Sequence, residues 1–418
     1  MKIREVVLTP VAFADPPLLN VMGVHEPFAL RTVLELRCED GVVGLGESYG
    51  DSAFADQARR VAAELPGLDV FDLPGIRRAV SRALGDTVVA DRHGLIGGAS
   101  IGKTLASVYS LFEVAALDAQ GHVLGRPVAD LLGGKARDEV EFSAYLFYKY
   151  AGHPDADPDE WGEALTPDAL VEQARRMINR YGFRSIKLKG GVLAPEQEIE
   201  GIRALADAFP GHPLRLDPNA AWKPDTAIDV ARRLDGVLEY LEDPTPGIEG
   251  MARVAERAAM PLATNMCVVS FADIEPAFRA RAVGVVLSDH HFWGGLRDTQ
   301  ALSTTCRAFG VGLSMHSNSH LGISLAAMVQ VAAATPHLSY ACDTHWPWKD
   351  SDVIVPGALD FVNGAVRVPD RPGLGVELDP DALGRAHEDY LRCGLTRRDD
   401  VNYMRRFVQD FEPNTARW

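Results

Sequence analysis

The sequence predicts an α/β protein, a (β/α)8-type barrel with an α+β capping domain formed by the N-terminal region and the C-terminal tail. Three observations predict it. Short apolar strands between Ser185 and Ser317 each end in a polar or charged residue: Lys189, Asp217, Glu242, Asn265, Asp289 and His316. These residues lie 28, 25, 23, 24 and 27 positions apart. A helix, two short loops and a strand fill such an interval, so each is one β/α unit. The chain of 418 residues is too long for one ordinary core and suits eight such units plus a second domain.

Residues 1–137 read as the α+β capping domain. Ile3 to Val11 and Leu30 to Cys38 have strand composition, and Glu39-Asp40-Gly41 makes a turn into a third strand from Val42 to Glu47. Between the first two strands, residues 16–27 form a loop too long for an economical hairpin, which predicts a lid. A helix from Thr104 to Val123 follows, with a small apolar face, and the Gly133-Gly134 pair ends the domain.

The barrel domain, 138–355, starts with a strand from Glu141 to Tyr148. A polar stretch rich in Pro and Gly, Gly152 to Leu165, is predicted as an insertion on the catalytic face. Thr166 is placed to cap the next helix, with Pro167 in its first turn and Gly182 as its stop. The six strands named above follow, and Ser339 to His345 is predicted as the eighth. The tail, 356–418, holds two short strands, Leu359 to Val362 and Ala365 to Val368, and a helix near Pro380 to Cys393. It is expected to pack on the capping domain.

Charge and composition exclude several classes. A formal charge of −16 argues against nucleic acid or an anionic membrane as partner. No apolar run approaches the roughly 18 residues of a membrane span, and the amino terminus lacks a secretory layout, so a cytoplasmic protein is expected. Cys38, Cys267, Cys306, Cys342 and Cys393 show no paired spacing and are expected as reduced thiols.

In parallel barrels the carboxyl ends of the strands meet at one mouth, where the active site lies. Asp217, Glu242 and Asn265 end three consecutive strands and offer oxygen ligands suited to Mg²⁺ with positions left open for substrate. Lys187 and Lys189 are two apart on one strand and face the same side, so mutual repulsion is expected to lower the pKa of at least one, making a candidate base. His316 and Asp289 end adjacent strands as a second candidate base with its orienting carboxylate. A metal between two bases suits abstraction of a proton alpha to a carboxylate.

The series Lys187-x-Lys189, Asp217-Pro218-Asn219, Glu242-Asp243-Pro244, Asn265, Asp289 and His316-Ser317-Asn318 resembles the enolase superfamily and, within it, the glucarate dehydratase subgroup. Leu146-Phe147-Tyr148, Asp343-Thr344-His345-Trp346 and Arg398-Asp399-Asp400 extend the likeness. The resemblance implies dehydration of D-glucarate or L-idarate to 5-keto-4-deoxyglucarate. It makes Lys189 the base for one C5 epimer and His316, oriented by Asp289, the base for the other. Lys187 would lie against the substrate carboxylate, and Asp217, Glu242 and Asn265 would hold Mg²⁺. Implied substrate contacts are Asn20 and His25 from the lid, Thr104, Tyr148, Asn219, Ser317, Asn318, His345 and Arg398. Positive charge for the distal carboxylate is expected from Arg398 with His25 or His345.

Three alternatives stay open on sequence. The same two-base site would serve a dehydratase of another acid sugar such as galactarate, or an epimerase or racemase of a 2-hydroxy acid. A metal-binding relative without chemistry is the third, although no base or ligand is missing. A small diacid sugar is the expected partner, and a homo-oligomer the expected assembly.

Overall fold

The computed structural model describes residues 1–88, 100–413 and 416–418. The amino-terminal sheet is antiparallel, with Phe28–Cys38 between Ile3–Ala14 and Val43–Tyr49. Helix Ile101–Leu124 lies on the last of these strands. Ser100 caps it, its Oγ accepting from Lys103 N–H at 3.2 Å, and Gly125 ends it in the left-handed region. Gly44 lets helix and strand approach closely. A Cβ there would stand 2.0 Å from the Ala115 carbonyl oxygen, a separation no side chain permits.

Seven parallel strands make the barrel sheet: Ala144–Phe147, Ile186–Lys189, Leu214–Asp217, Leu238–Glu242, Leu262–Thr264, Val285–Ser288 and Gly312–Met315, each paired with the next. The predicted eighth strand is a correction. Residues 339–345 contain a single bridge, Phe142 to Cys342, rather than a strand. The segment nevertheless spans the gap. Ser339 and Asp343 donate backbone N–H to Leu313 and Met315 on one side, while Cys342 exchanges bonds with Glu141 and Ser143 on the other. Too few residues pair in sequence to make a regular ladder.

Helix Pro167–Tyr181 begins at Thr166, whose Oγ1 accepts from Ala169 N–H at 3.3 Å, and stops at Gly182 with φ 74°. Helix Gly322–Ala333 is buried along its whole length, which explains its lack of a polar face: the barrel covers one side and the capping strand Val43–Tyr49 the other. Two capping-domain acids hold barrel helices by their first turns. Glu47 accepts the N–H groups of Leu321 and Ser324, and Glu113 those of Leu296 and Arg297.

The lid loop folds into a small hairpin, Leu19–Asn20 with Gly23–Val24, and docks on the first barrel strand through Leu19 N–H to the Tyr148 carbonyl at 2.8 Å. The tail divides, which corrects the expectation that all of it covers the capping domain. Its hairpin, Phe361–Val362 and Ala365–Arg367, pairs with Glu139–Glu141 below the barrel. Helix Pro380–Cys393 does pack on capping strand Ile3–Ala14, and Asp400–Met404 packs on the lid hairpin. All five cysteines are free, and no helix of the described residues is long and apolar enough to cross a membrane.

Candidate active site

The parallel register brings the polar strand ends together. Phe147 pairs with Lys189, and Lys189 with Asp217. Above them lies a cavity of about 270 Å³, lined by Lys189, Asn219, Asn265, His316, Ser317, Asn318 and His345 from the barrel, Asn20 and His25 from the lid, and Arg398 from the tail. A chamber of this size, below the roughly 300–1,000 Å³ usual for drug-sized ligands, suits a small polar molecule.

Beneath its floor, Lys187, Asp217 and Glu242 are fully buried. Lys187 Nζ lies 2.6 Å from Glu242 Oε2, 2.6 Å from Asp343 Oδ2 and 3.6 Å from Asp217 Oδ2. Lys189 Nζ donates to Asp217 Oδ2 at 2.6 Å and to Asn219 Oδ1 at 2.9 Å. The expected depression does not occur at Lys187. Burial alone would push its ammonium down, but the facing Asp343 and Glu242, with Tyr145 and Asp217, hold it well above the usual lysine range. Burial and the neighbouring Asp217 charge hold Glu242 well above the usual carboxylate range.

The three predicted metal residues fit a hard divalent cation. Both Glu242 oxygens and Asn265 Oδ1 are buried and accept no hydrogen bond among the described residues; the Lys187 contact is one of charge, not of aligned donation. Three buried carboxylates face two lysines, leaving negative charge and oxygen lone pairs for a cation to satisfy.

His316 Nδ1 lies 3.0 Å from Asp289 Oδ2. With the Nδ1 proton directed to the carboxylate, Nε2 is left for the cavity. Burial would raise the Asp289 carboxyl, but charge and hydrogen bonds from His291 and His316 hold it well below the usual range. Ser317 Oγ accepts His345 N–H at 3.2 Å, and Asn318 Nδ2 donates to Asp289 Oδ2 at 3.2 Å.

The two sets of strand ends, lysine with carboxylates on one side and imidazole with carboxylate on the other, share this mouth with a capping domain above it. Chain-wide comparison agrees: residues 3–133 match the mandelate racemase / muconate lactonizing enzyme N-terminal domain, and residues 169–382 the enolase C-terminal domain-like family. The chain belongs to the enolase superfamily. It is 52% identical to a probable glucarate dehydratase of Streptomyces coelicolor, over 100% of this chain and 99% of that one. A Thermobispora bispora enolase structure complexed with magnesium and formate is 62% identical with TM-score 0.99, covering 100% of both chains. A Pseudomonas fluorescens enolase structure with bound magnesium, potassium and tartrate is 52% identical with TM-score 0.96, covering 100% of this chain and 99% of that one.

Three predicted contacts of this superfamily chain do not line the cavity: Lys187, which lies beneath its floor, Tyr148 and Thr104. Tyr148 does not line the cavity. Tyr145 and Phe147 face it, so the following residue turns outward. The Tyr148 hydroxyl lies under helix Pro195–Ala208, where a Cβ on Gly201 would be 3.1 Å from it. Thr104 is buried in the first turn of helix Ile101–Leu124 and is not among the lining residues. The distal charge also needs correction. Burial, and then the neighbouring His25, His320, His316 and Lys189, push His345 well below the usual histidine range, which favours the neutral ring. Arg398 lines the cavity, with Nε and Nη2 each 2.6 Å from an Asp400 carboxylate oxygen.

Sequence reading named Asp343 and Asp400 only as parts of motifs, without a role, and passed over Asp15, Arg31 and His291. Asp343 carried a signal: it lies 27 residues after His316, continuing the strand-end series. Asp400 and Arg31 act through partners distant in the chain, and Asp15 through the lid ten residues on. Asp15 Oδ2 is 3.1 Å from His25 Nδ1, and Asp400 Oδ2 accepts from Asn20 Nδ2 at 2.9 Å.

Proposed function

We propose that the protein is a Mg²⁺-dependent acid-sugar dehydratase that converts D-glucarate and L-idarate to 5-keto-4-deoxyglucarate. The observation that carries this reading is one cavity lined by both Lys189 and the Asp289-held His316, over a buried set of oxygen ligands. Two bases suit substrates that differ in configuration at a single alpha carbon. Support for the substrate comes from the 52% identity to a probable glucarate dehydratase, and for the metal from the magnesium in the two related structures.

Asp217, Glu242 and Asn265 would hold Mg²⁺, which supplies positive charge for the reacting carboxylate and for the enediolate charge that builds as the alpha proton leaves. Lys189, as free amine, takes the C5 proton of one epimer. His316 Nε2 takes that of the other, while its Nδ1–H stays on Asp289. When Lys189 is the base, protonated His316 gives its proton to the departing beta hydroxyl, which leaves as water. Lys187 stays charged beneath the cavity floor, against Glu242 and Asp343 of the carboxylate set. Asn20, His25, Asn219, Ser317, Asn318 and His345 offer hydrogen bonds to the hydroxyls, and Arg398 faces the distal carboxylate with two of its five donors already on Asp400.

The test is incubation with D-glucarate, L-idarate or galactarate in deuterium oxide with Mg²⁺, followed by proton NMR, for native protein, Lys189→Ala and His316→Ala. The 4-deoxy-5-keto acid is expected from the first two acids only, each variant losing C5 exchange of one epimer. Exchange without loss of water would move the assignment to a racemase or epimerase, and no exchange with any acid would remove the substrate.

A further inference from the structure

Asp289 has a second histidine. Its Oδ1 lies 2.7 Å from His291 Nδ1 and accepts the His291 backbone N–H at 2.9 Å, while Oδ2 serves His316 and Asn318. On its other edge, His291 Nε2 is 2.8 Å from Arg31 Nη2 and 2.8 Å from Ser324 Oγ. Arg31 belongs to capping strand Phe28–Cys38, a domain away in sequence. Its Nε donates to Glu47 Oε1 at 2.8 Å, and its Nη1 donates to Asn318 Oδ1 at 3.2 Å. Arg31, Glu47, Asp289 and His291 are all buried.

We propose that Arg31 and His291 are positioning residues, through which the capping domain sets the tautomer and orientation of the His316 imidazole. The inference rests on the proton-transfer role proposed for His316. A guanidinium only donates hydrogen bonds, so His291 Nε2 must accept from Arg31. The remaining proton of the neutral ring is then on Nδ1, directed at Asp289 Oδ1. The same guanidinium holds Asn318, which donates to the other oxygen. Both Asp289 oxygens are thus fixed from one point, and the carboxylate can take only the Nδ1 proton of His316. Asp289, His290 and His291 do bring possible ligand atoms within 4.8 Å of one another. The arginine on His291 and the His291–Asp289 hydrogen bond make this a proton-ordering chain and not a metal centre.

The deciding experiment is ¹⁵N NMR of histidine-labelled, substrate-free protein, with the His316 signals assigned by their loss in His316→Asn. Native protein is expected to show His316 protonated on Nδ1. His291→Phe and Arg31→Lys should show mixed tautomers, Lys being chosen because it keeps a cation beside Glu47. His291→Asn, whose amide can donate from near the Nδ1 position, should retain the native signals. In deuterium oxide, His291→Phe should lower C5 exchange of the epimer served by His316 about 10- to 100-fold, the range of second-sphere substitutions, with the Lys189 epimer within about twofold and His291→Asn largely restored. Unchanged His316 tautomers in the Phe and Lys variants, or equal loss for both epimers, would overturn the inference. If native protein exchanges neither acid, the substrate reading fails while the tautomer measurement still decides this one.

Discussion

Asn265 follows barrel strand Leu262–Thr264, buried, with its Oδ1 accepting no hydrogen bond among the described residues. Its backbone N–H, in contrast, donates to Asp243 Oδ2 at 2.8 Å and does not depend on the side chain. Asn265→Leu keeps the branched shape and removes the acceptor. A buried acceptor without a partner costs about 1–3 kcal/mol, so the metal-free variant should equal the native protein in stability or exceed it by up to that amount. With Mg²⁺ at 100 times its dissociation constant the native protein gains about 2.7 kcal/mol, whereas a site weakened tenfold would keep only about 1.4 kcal/mol at the same concentration. Between chelator and Mg²⁺ the native protein should therefore gain about 1.3 kcal/mol on the variant. Urea unfolding followed by circular dichroism, in EDTA and across a Mg²⁺ titration, measures this. Destabilisation as large in EDTA as in Mg²⁺ would refute the reasoning, since Asn265 would then be a packing residue. An undiminished Mg²⁺ response would refute it from the other side.

Two further predictions concern buried acids that hold backbone. Burial pushes Glu113 up to about 7 from its ordinary 4.5, against the opposing hydrogen bonds from Leu296 and Arg297. The folded state then prefers the protonated acid, so its contribution is fully present below about pH 4.5 and is lost as pH rises through 7, a swing of roughly 3 kcal/mol. Glu113→Gln should flatten the pH dependence of urea stability between pH 5 and pH 8, and a profile parallel to the native one would count against the assignment. Glu198 accepts the N–H groups of Gly191, Val192 and Leu193 at 2.9–3.0 Å, fixing the loop after Lys189. Glu198→Ala leaves three donors without that partner and should cost at least about 3 kcal/mol. It should also expose the loop to limited proteolysis; an uncut loop at native stability would show that water replaces the carboxylate.

Much of the site was legible because a barrel repeats. Strand-end spacing put Lys189, Asp217, Glu242, Asn265, Asp289 and His316 at equivalent places, and parallel pairing brought them to one mouth. Tyr148, a contact implied by the resemblance, is turned away because one residue along an extended segment reverses the direction of a side chain, and Tyr145 and Phe147 are the ones that face the cavity. The segment at 339–345 failed as a strand because closure of the barrel leaves it only isolated backbone bonds on either side, too few in sequence for a ladder.

The sequence by itself determined the barrel and the capping domain and singled out a candidate oxygen-ligand set and two opposed candidate bases, because each is written in local pattern and regular spacing. Only the tertiary structure decided the charge state and orientation of those groups. The Lys187 ammonium is held up by Asp343, 156 residues away, and His316 is ordered through Asp289 and His291 by an arginine of the other domain. A side chain's proton depends on which charges and donors surround it once water is excluded, and those neighbours come from distant parts of the chain.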